Sequence, residues 1–424
     1  MKNNATRSAN HSTPALQKKL RNLSHSSYPR RTRDRLSQVS QNTVSTGLTT
    51  TDTMAGPTTR ARATWVADRV TALPEVWAVV ALHLGLVGAW RLMLVCKAAR
   101  VGVRDFLNTL PGLIVCGGSP TAGIFVDGVW RLDLATLRWE VMPSLGVARA
   151  FHACCVVRRS LVVIGGYISS DEDVEFVGSV EMFAEGGVAV TNQPPLSCGG
   201  IVQTAAIAVD ESESTVGQVM LLGGRDEDEE VTSTVHLVDL ATGMCTPQPH
   251  LLHAREKFAA VRLPDRSIVC AGGVDDTTGV LSSVEVFEPP AQGALDTAWT
   301  WREVPAMIVA RQGCRGCMLS DGRFAVLGGD NNDATLSSCE ALLVGDDEHW
   351  EIFPPMHVAR TQFACAAMAG CIVVAGGYGG RDPLGLPNHL RSAEVFDEVF
   401  DRWLRLPCDL PHNAGMNAMG SALR

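Results

Sequence analysis

Short apolar runs that stop on a pair of glycines recur six times along the chain. The doublets are Gly117, Gly118, Gly165, Gly166, Gly223, Gly224, Gly272, Gly273, Gly328, Gly329, Gly376 and Gly377. The second glycines lie 48, 58, 49, 56 and 48 residues apart. A unit that recurs about every 50 residues indicates a repeat architecture. Because glycine adopts positive φ freely, the doublets suit tight exits from buried strands and are predicted to be structural.

Three further strands can be identified in the repeated unit. A polar loop follows each doublet, and a strand with alternating or β-branched residues comes next. These strands are predicted at Val129–Asp133, Val180–Ala184, Val235–Asp239, Val284–Glu288, Cys339–Leu343 and Ala393–Asp397. In four units a tryptophan and then a proline follow this strand, and in four units the next strand opens with an arginine. These arginines are Arg149, Arg255, Arg311 and Arg360. Four strands per unit is the composition of a propeller blade.

The apolar run, the Gly-Gly doublet, the spaced tryptophan and the leading arginine together closely resemble the kelch repeat, over residues 113–424. The resemblance implies an all-β, six-bladed kelch β-propeller. It places the arginine-led strand innermost in each blade, where six strands crowd a central channel. Small residues at Ala153, Ala259, Gly316 and Ala364 fit that position.

The two ends of the repeat region predict how the propeller closes. The first unit begins at its second strand, Leu113, and the chain ends on a strand that has no unit of its own. Inserting this C-terminal strand into the first blade completes six blades and removes an open sheet edge. We therefore expect residues 415–423 to pair with residues 113–117.

Residues 68–110 have a different, helical character. Pro74 suits the first turn of a helix, and Glu75 complements the positive helix end. Leu73-Pro74-Glu75 and Val95-Cys96-Lys97 resemble the F-box, although Ala99 stands where that family usually has tryptophan. The resemblance implies that an adaptor subunit contacts Leu73, Pro74, Val76, Val95 and Cys96. The alternative is a helical collar that only braces the propeller.

Residues 1–63 form a basic segment rich in Ser, Thr and Asn, predicted to be a disordered tail. They carry 11 Lys/Arg against Asp34 and Asp52, although the whole chain has a charge of −9. The arginines at 30, 31, 33 and 35 are compatible with a solvated tail, a nuclear import signal, a phosphate-binding patch or a transit peptide.

The composition indicates the class of protein and the cellular compartment in which it works. Hydrophobic residues make up 46% and charged residues 19%, which is typical of a globular protein. The 13 cysteines, many of them within apolar runs, are predicted to be free thiols in a reducing compartment, cytoplasmic, nuclear or both. The uncharged run from Val76 to Trp90 is shorter than the roughly 20 apolar residues of a membrane span, so no membrane role is expected.

No catalytic, cofactor or metal site is predicted. Cys314 and Cys317 are three positions apart on a strand, so they face opposite sides and are assigned to the core. His250 and His253 lie in a loop without a cysteine partner. A kelch-type copper oxidase would need more ligands than Tyr167 and Tyr378.

The loops after the doublets carry 13 carboxylates, predicted to share one face. They include Asp171, Asp173, Asp226, Asp228, Asp275 and Asp330. In kelch domains this face is the usual partner-binding surface, and in some relatives the leading arginines grip acidic side chains. The alternative is that each arginine pairs with a nearby loop carboxylate. An acidic rim should attract a basic partner segment, and also the chain's own basic tail.

By resemblance, the chain is expected to be a non-catalytic substrate receptor of an SCF-type, cullin-based ubiquitin ligase. The helical module would bind the adaptor and the propeller loops would bind the substrate. A kelch scaffold or cytoskeletal protein is the alternative. No nucleic acid partner is expected.

Overall fold

The computed structural model describes residues 69–121, 124–169, 174–183, 190–209, 216–289, 298–345, 347–381, 387–411 and 420–423. Two helices, α1 (Pro74–Leu92) and α2 (Lys97–Leu107), precede the strands. Six four-stranded antiparallel sheets form the blades of a β-propeller, which confirms the predicted fold. The tail at residues 1–63 lies outside the described residues.

The strands of the first three blades follow the repeats in chain order. Blade 1 begins with β1 (Leu113–Cys116), β2 (Val129–Asp133) and β3 (Arg138–Met142). Blade 2 contains β4 (Ala153–Val157), β5 (Ser160–Ile164), the hairpin β6 (Tyr167–Ser169) and β7 (Val174–Phe176), then β8 (Val180–Phe183) and β9 (Val190–Gln193). Blade 3 contains β10 (Ala205–Ala208), β11 (Gln218–Leu222), β12 (Val235–Asp239) and β13 (Cys245–Gln248).

The last three blades repeat this plan. Blade 4 contains β14 (Ala259–Arg262), β15 (Ile268–Ala271), the hairpin β16 (Val274–Asp275) and β17 (Gly279–Val280), then β18 (Val284–Glu288) and β19 (Thr300–Val304). Blade 5 contains β20 (Arg315–Met318), β21 (Phe324–Leu327), β22 (Cys339–Leu343) and β23 (His349–Phe353). Blade 6 contains β24 (Ala364–Met368), β25 (Cys371–Ala375), the hairpin β26 (Tyr378–Arg381) and β27 (Pro387–His389), then β28 (Ala393–Asp397) and β29 (Arg402–Arg405). The final strand is β30 (Gly420–Leu423).

The C-terminal strand closes the propeller. β30 pairs antiparallel with β1, so that Leu423 lies opposite Leu113 and Gly420 lies opposite Cys116. The strands β30, β4, β10, β14, β20 and β24 contact one another in a ring and are the innermost strands. The predicted pairing is therefore confirmed for residues 420–423, and residues 415–419 lie outside the described residues.

The glycine doublets end the second strand of each blade. All twelve glycines have positive φ, between 50° and 104°. In five doublets the second glycine also donates its N–H to the next blade, as Gly118 does to the Arg149 carbonyl at 2.8 Å. A β-carbon at Gly166 would lie 2.8 Å from the Ala150 carbonyl oxygen. Both conformation and space therefore require glycine at these strand exits.

The propeller has two faces of different composition. Because the strands are antiparallel, the loops after the doublets and the segments leading into the inner strands share one face, here called the loop face. The helices contact turns on the opposite face. Leu86 N–H donates to the Ala369 carbonyl at 3.2 Å, and Trp90 Nε1 donates to the Leu134 carbonyl at 2.7 Å. Since Ala369 follows β24 and Leu134 follows β2, the helices bridge blades 6 and 1.

The helices share a hydrophobic core with those two blades. Leu86, Val87 and Phe106 are buried in one cluster with Val115 of β1 and Val373 of β25. α1 is kinked at Gly85, next to the contact with Ala369. α2 crosses α1 so closely that a β-carbon on Gly102 would lie 1.8 Å from the Pro74 carbonyl oxygen. The helical module is thus packed directly on the propeller.

By length and composition alone, α1 would qualify as a membrane-spanning helix among the described residues, with a mean hydropathy of 1.3. One such helix is weak evidence, because helices that pack in a protein core share these features. Only 22% of the apolar segment of α1 is buried, so much of its apolar surface is left uncovered.

Candidate functional site

The four leading arginines lie inside the propeller. Each is 0% exposed, and each pairs through Nη2 with a glutamate Oε1 on the third strand of its own blade. The pairs are Arg149–Glu181 at 2.6 Å, Arg255–Glu285 at 2.6 Å, Arg311–Glu340 at 2.5 Å and Arg360–Glu394 at 2.6 Å. Side chains buried in this way cannot grip a partner. Their assignment to partner binding is therefore wrong, and their carboxylate partners are strand glutamates, not loop acids.

Each arginine joins two neighbouring blades. The Arg149 carbonyl accepts from Gly118 of blade 1, while its Nη1 donates to the Gly165 carbonyl of blade 2 at 2.9 Å. The paired Glu181 also accepts the N–H of Gly146, from the loop that connects the blades, at 2.6 Å. We call this arrangement the Arg–Glu clamp. Its buried charges are compensated by hydrogen bonds, as burial of ions requires.

A sequence signal for the clamp exists. Glutamate is the second residue of the third strand in the same four units that have a leading arginine. The other two units have Trp130 and His236 at that position. Within this chain, arginine and glutamate are present together in four blades and absent together in two. This pattern could have identified the pair from the sequence.

Several of the predicted loop-face acids are used by the loops themselves. Asp226 Oδ1 accepts the N–H groups of Asp228 and Glu230, both at 3.1 Å. Asp275 Oδ1 accepts from Thr277, and Asp330 Oδ1 accepts from Asn332. The Asp228 and Glu230 side chains are exposed. The loop face brings together the described acids of blades 3, 4 and 5, while Asp171 and Asp173 lie outside the described residues.

The loop face is not uniformly acidic, because two cations lie among its carboxylates. Arg225 binds Asp276 at 2.9 Å and Glu256 at 3.0 Å, and Lys257 binds Glu256 at 2.9 Å. The hydrogen bond from Arg225 lowers the pKa of Asp276 below its usual range. This network links the loops of blades 3 and 4. A partner would therefore meet both charge signs between these blades.

The mouth of the central channel opens on the loop face. Non-glycine residues with positive φ ring it, namely Phe151, Gln203, Lys257 and Gln362. Their backbones are joined across the blades: Gln203 N–H donates to the Phe151 carbonyl at 2.8 Å, and Lys257 N–H donates to the Gln203 carbonyl at 3.3 Å. They enclose a cavity of about 180 Å³. Sequence patterning did not identify this ring, since left-handed conformation is uncommon for such residues.

The helical module presents an apolar surface away from the propeller. Leu73 is 50% exposed and Val95 is 60% exposed, and three further apolar side chains of the module are exposed. These are Val79, Leu82 and Leu94. Pro74 and Val76 are half-buried, and Cys96 is exposed with its Sγ accepting the Ala99 N–H at 3.3 Å at the start of α2. The role of these residues in adaptor binding stays a prediction.

All 13 cysteines are free thiols. Cys314 and Cys317 are buried in the core, as predicted. Burial raises the pKa of the Cys155 thiol to about 12, so that thiol is inert at neutral pH. A hydrogen bond from the Cys154 thiol, aided by His152, lowers the pKa of Cys116 to about 6.

Of the two loop histidines, His253 pairs with a carboxylate: its Nε2 lies 2.9 Å from Glu303 Oε1 on the surface.

Comparison with known proteins agrees with the repeat pattern. Residues 359–408 match the Kelch motif family. The chain is 42% identical over 60 residues to an F-box/kelch-repeat protein of Arabidopsis thaliana, covering 14% of this chain and 15% of that protein. It is 28% identical over 130 residues to the Arabidopsis thaliana F-box/kelch-repeat protein SKIP30, covering 27% and 36%. Kelch-like protein 41a of Danio rerio is 22% identical over 159 residues, covering 37% and 25%.

The chain thus spans only 15–36% of the length of these relatives. The solved structure of YjhT supports the fold alone, with a TM-score of 0.54, 11% identity, and coverage of 70% of this chain and 98% of that chain. Family match, six repeats and closed six-bladed architecture agree with one another. The chain is a six-bladed β-propeller that contains a Kelch motif at residues 359–408.

Proposed function

We propose that this protein is a non-catalytic substrate receptor of an SCF-type, cullin-based ubiquitin ligase. The observation that carries the proposal is the uncovered apolar surface of the helical module. Leu73, Leu94 and Val95 are exposed there, although neighbouring side chains of the same helices are buried against the propeller. Contiguous exposed apolar surface commonly marks a protein-binding site.

The position of the module fits a receptor. It is packed on the face opposite the loop face, so an adaptor on the helices leaves the loops accessible to a substrate. The hydrogen bonds from Leu86 and Trp90 to turns of blades 6 and 1 fix its orientation. Two of the similar proteins are named F-box/kelch-repeat proteins, which supports assigning the helices to adaptor binding.

Co-purification of the full chain with an adaptor–cullin pair tests the proposal. Leu73→Asp and Val95→Asp place charges on the apolar surface and should lower recovery of the adaptor by about tenfold or more each. Ile352→Asp is the matched control, because Ile352 is 83% exposed on β23 of the propeller. Equal recovery with all three variants would contradict the proposal. Partition of the wild-type chain into lipid vesicles would instead assign the apolar surface to a membrane.

The loop face is proposed to bind the substrate through a basic segment. Asp228, Glu230 and Asp333 have exposed side chains in the loops after the glycine doublets. Replacing all three with Asn, Gln and Asn should slow association with a Lys/Arg-rich peptide at low salt and have little effect at high salt, since exposed charges are screened. Removing residues 1–63, which carry net positive charge, should speed the same association. An unchanged rate would argue against masking by the tail.

A kelch scaffold without a ligase role is the second candidate. The shared core of the helices and blades 1 and 6 favours it, because that packing alone would explain why the helices are present. The name of the similar Kelch-like protein 41a mentions the kelch repeat but not the F-box. Failure of any adaptor to associate, with an intact propeller, would select this candidate.

We also propose a cytoplasmic or nuclear location, with neither nucleic acid nor membrane as a partner. The 13 free thiols support a reducing compartment. Kelch propellers generally act as interaction scaffolds, which agrees with a non-catalytic role. Oxidation state measured on protein isolated under thiol-trapping conditions checks the compartment, and recovery of disulfides would contradict it.

A further inference from the structure

Two cysteines and a histidine converge where blades 1 and 2 meet. Cys116 ends β1, while His152 and Cys154 lie at the start of the inner strand β4. Cys116 Sγ is 3.3 Å from Cys154 Sγ and 3.5 Å from His152 Nε2. One ligand atom from each of the three side chains lies within 4.8 Å of the other two. Cys116 and His152 are buried, at 1% and 7% exposure.

The other repeats have different residues at the positions equivalent to these three side chains. Positions equivalent to Cys116 hold Ile164, Leu222, Ala271, Leu327 and Ala375. Positions equivalent to His152 hold Thr204, Phe258, Cys314 and Phe363, and those equivalent to Cys154 hold Ala206, Ala260, Gly316 and Cys365. Among the described blades, only this junction has a ligand-type side chain at all three positions. Packing alone is achieved elsewhere with aliphatic and aromatic residues, so it does not require this combination.

The separations suit a thiolate-binding metal ion. Zinc bonds sulfur at about 2.3 Å and nitrogen at about 2.0 Å, so tetrahedral ligands are about 3.5 Å apart for S···N and about 3.8 Å apart for S···S. The observed S···N distance of 3.5 Å already fits, and the sulfurs need to separate by about half an ångström. Thiolate and imidazole ligands select zinc over oxygen-preferring cations.

The neighbouring cavity adds a second observation beside the ligand geometry. His152 and Cys154 also line the central cavity of about 180 Å³, which is too small for most organic ligands. The cavity gives an ion a route to the cluster and leaves room for water as a fourth ligand.

We propose that Cys116, His152 and Cys154 bind one zinc ion, with water from the central cavity as the fourth ligand. The ion links the second strand of blade 1 to the inner strand of blade 2. It neutralises two buried thiolates and so replaces the apolar contact that other junctions make. The sequence did not reveal this site, because the ligands come from two repeats and have no compact spacing.

Zinc titration of the reduced, full-length protein tests the proposal. Metal-free protein should take up one equivalent of zinc in competition with a chromogenic chelator. Substituting Co²⁺ should give the thiolate-to-cobalt charge-transfer absorption of a site with two sulfur ligands. Cys154→Ala and His152→Phe should each weaken binding by about 100-fold or more. Both replacements are residue types found at equivalent positions in other blades, so the fold should tolerate them.

Cys155→Ala is the matched control. Cys155 is adjacent to Cys154 on β4 and lies in a different core cluster, with Cys154 contacting the blade 1 side. This variant should keep one equivalent of zinc and the cobalt spectrum, and zinc should raise its melting temperature as in the wild type. No uptake by reduced wild-type protein, or equal uptake by Cys154→Ala and Cys155→Ala, would overturn the proposal. Unchanged zinc uptake by protein in which mass spectrometry shows an intact Cys116–Cys154 disulfide would do the same.

Discussion

Blade junctions with and without the buried Arg–Glu clamp coexist in this propeller. Four blades begin with a buried arginine that bridges to the preceding blade and pairs with a glutamate on the third strand. Blade 3 has Ile201 and His236 at these two positions, and blade 1 has Trp130 in place of the glutamate. The junction between blades 6 and 1 is instead secured by β30 and by the helices. The chain therefore joins its blades in three ways: by the clamp at four junctions, without it before blade 3, and by β30 and the helices between blades 6 and 1.

The difference shows that arginine and glutamate act as one unit of the repeat. A buried guanidinium without its carboxylate, or the reverse, leaves an uncompensated charge. A blade therefore loses both residues together and fills the space with apolar or aromatic groups. The closing junction, where the repeat begins and ends, depends on elements outside the repeat.

Deleting residues 413–424 should have the largest effect, because it removes the inner strand of blade 1. Blade 1 would lose its pairing to β30 and expose the edge of β1. We expect the free energy of unfolding to fall by about 5 kcal/mol or more, which lowers the melting temperature by about 10 °C or more. Calorimetry of the truncated and full chains measures this.

A synthetic peptide of residues 413–424 provides the control. If the loss arises from the missing strand, added peptide should restore part of the melting temperature in a concentration-dependent way. A truncated chain that melts like the full chain would show that the closing junction depends on the helices alone.

Arg360→Met should destabilise a clamped junction by about 3–5 kcal/mol, because it leaves Glu394 buried without its ion pair. Chemical denaturation of the variant measures this loss. Arg405→Met is the control in the same blade. Arg405 is 70% exposed and lies 3.7 Å from Asp409, so its loss should cost less than about 0.5 kcal/mol. Similar losses for both variants would mean that the clamp contributes no more than a surface ion pair.

Installing the clamp in blade 3 tests whether the two residues are coupled. Ile201→Arg and His236→Glu should each destabilise, since each introduces a charge without its partner. The double variant should recover about 1–3 kcal/mol relative to the sum of the two single losses. A double-mutant cycle by denaturation measures the coupling. Strict additivity would show that the pair needs more of its surroundings than these two positions.

Sequence patterning predicted the blades well because their signals are local. An apolar run, a Gly-Gly doublet and an alternating strand lie within about 20 residues, and the closing strand follows from the incomplete first unit. The site was predicted less well. The leading arginines look like surface charges until Glu181 and its equivalents, about 30 residues away, are placed beside them. The convergence of Cys116 with His152 likewise depends on contact between two blades.

The smallest expected effect concerns a single hydrogen bond at the junction between blades 6 and 1. Trp90 Nε1 donates to the Leu134 carbonyl of blade 1 at 2.7 Å, which ties α1 to the propeller. Trp90→Phe keeps most of the ring but removes the donor, so the free energy of unfolding should fall by about 1 kcal/mol. Amide hydrogen exchange should speed up in β1 and β2 and stay unchanged in clamped blades 4 and 5.

Trp77→Phe is the matched control for this change. Trp77 Nε1 also donates to a carbonyl at 2.7 Å, but the acceptor is Thr71 within the helical module. Its loss should leave exchange in β1 and β2 as in the wild type, because no contact between module and propeller is broken. Faster exchange in blade 1 with both variants would mean that the module as a whole, and not the Trp90 bond, secures the closing junction. Faster exchange with neither variant would assign closure to β30 alone.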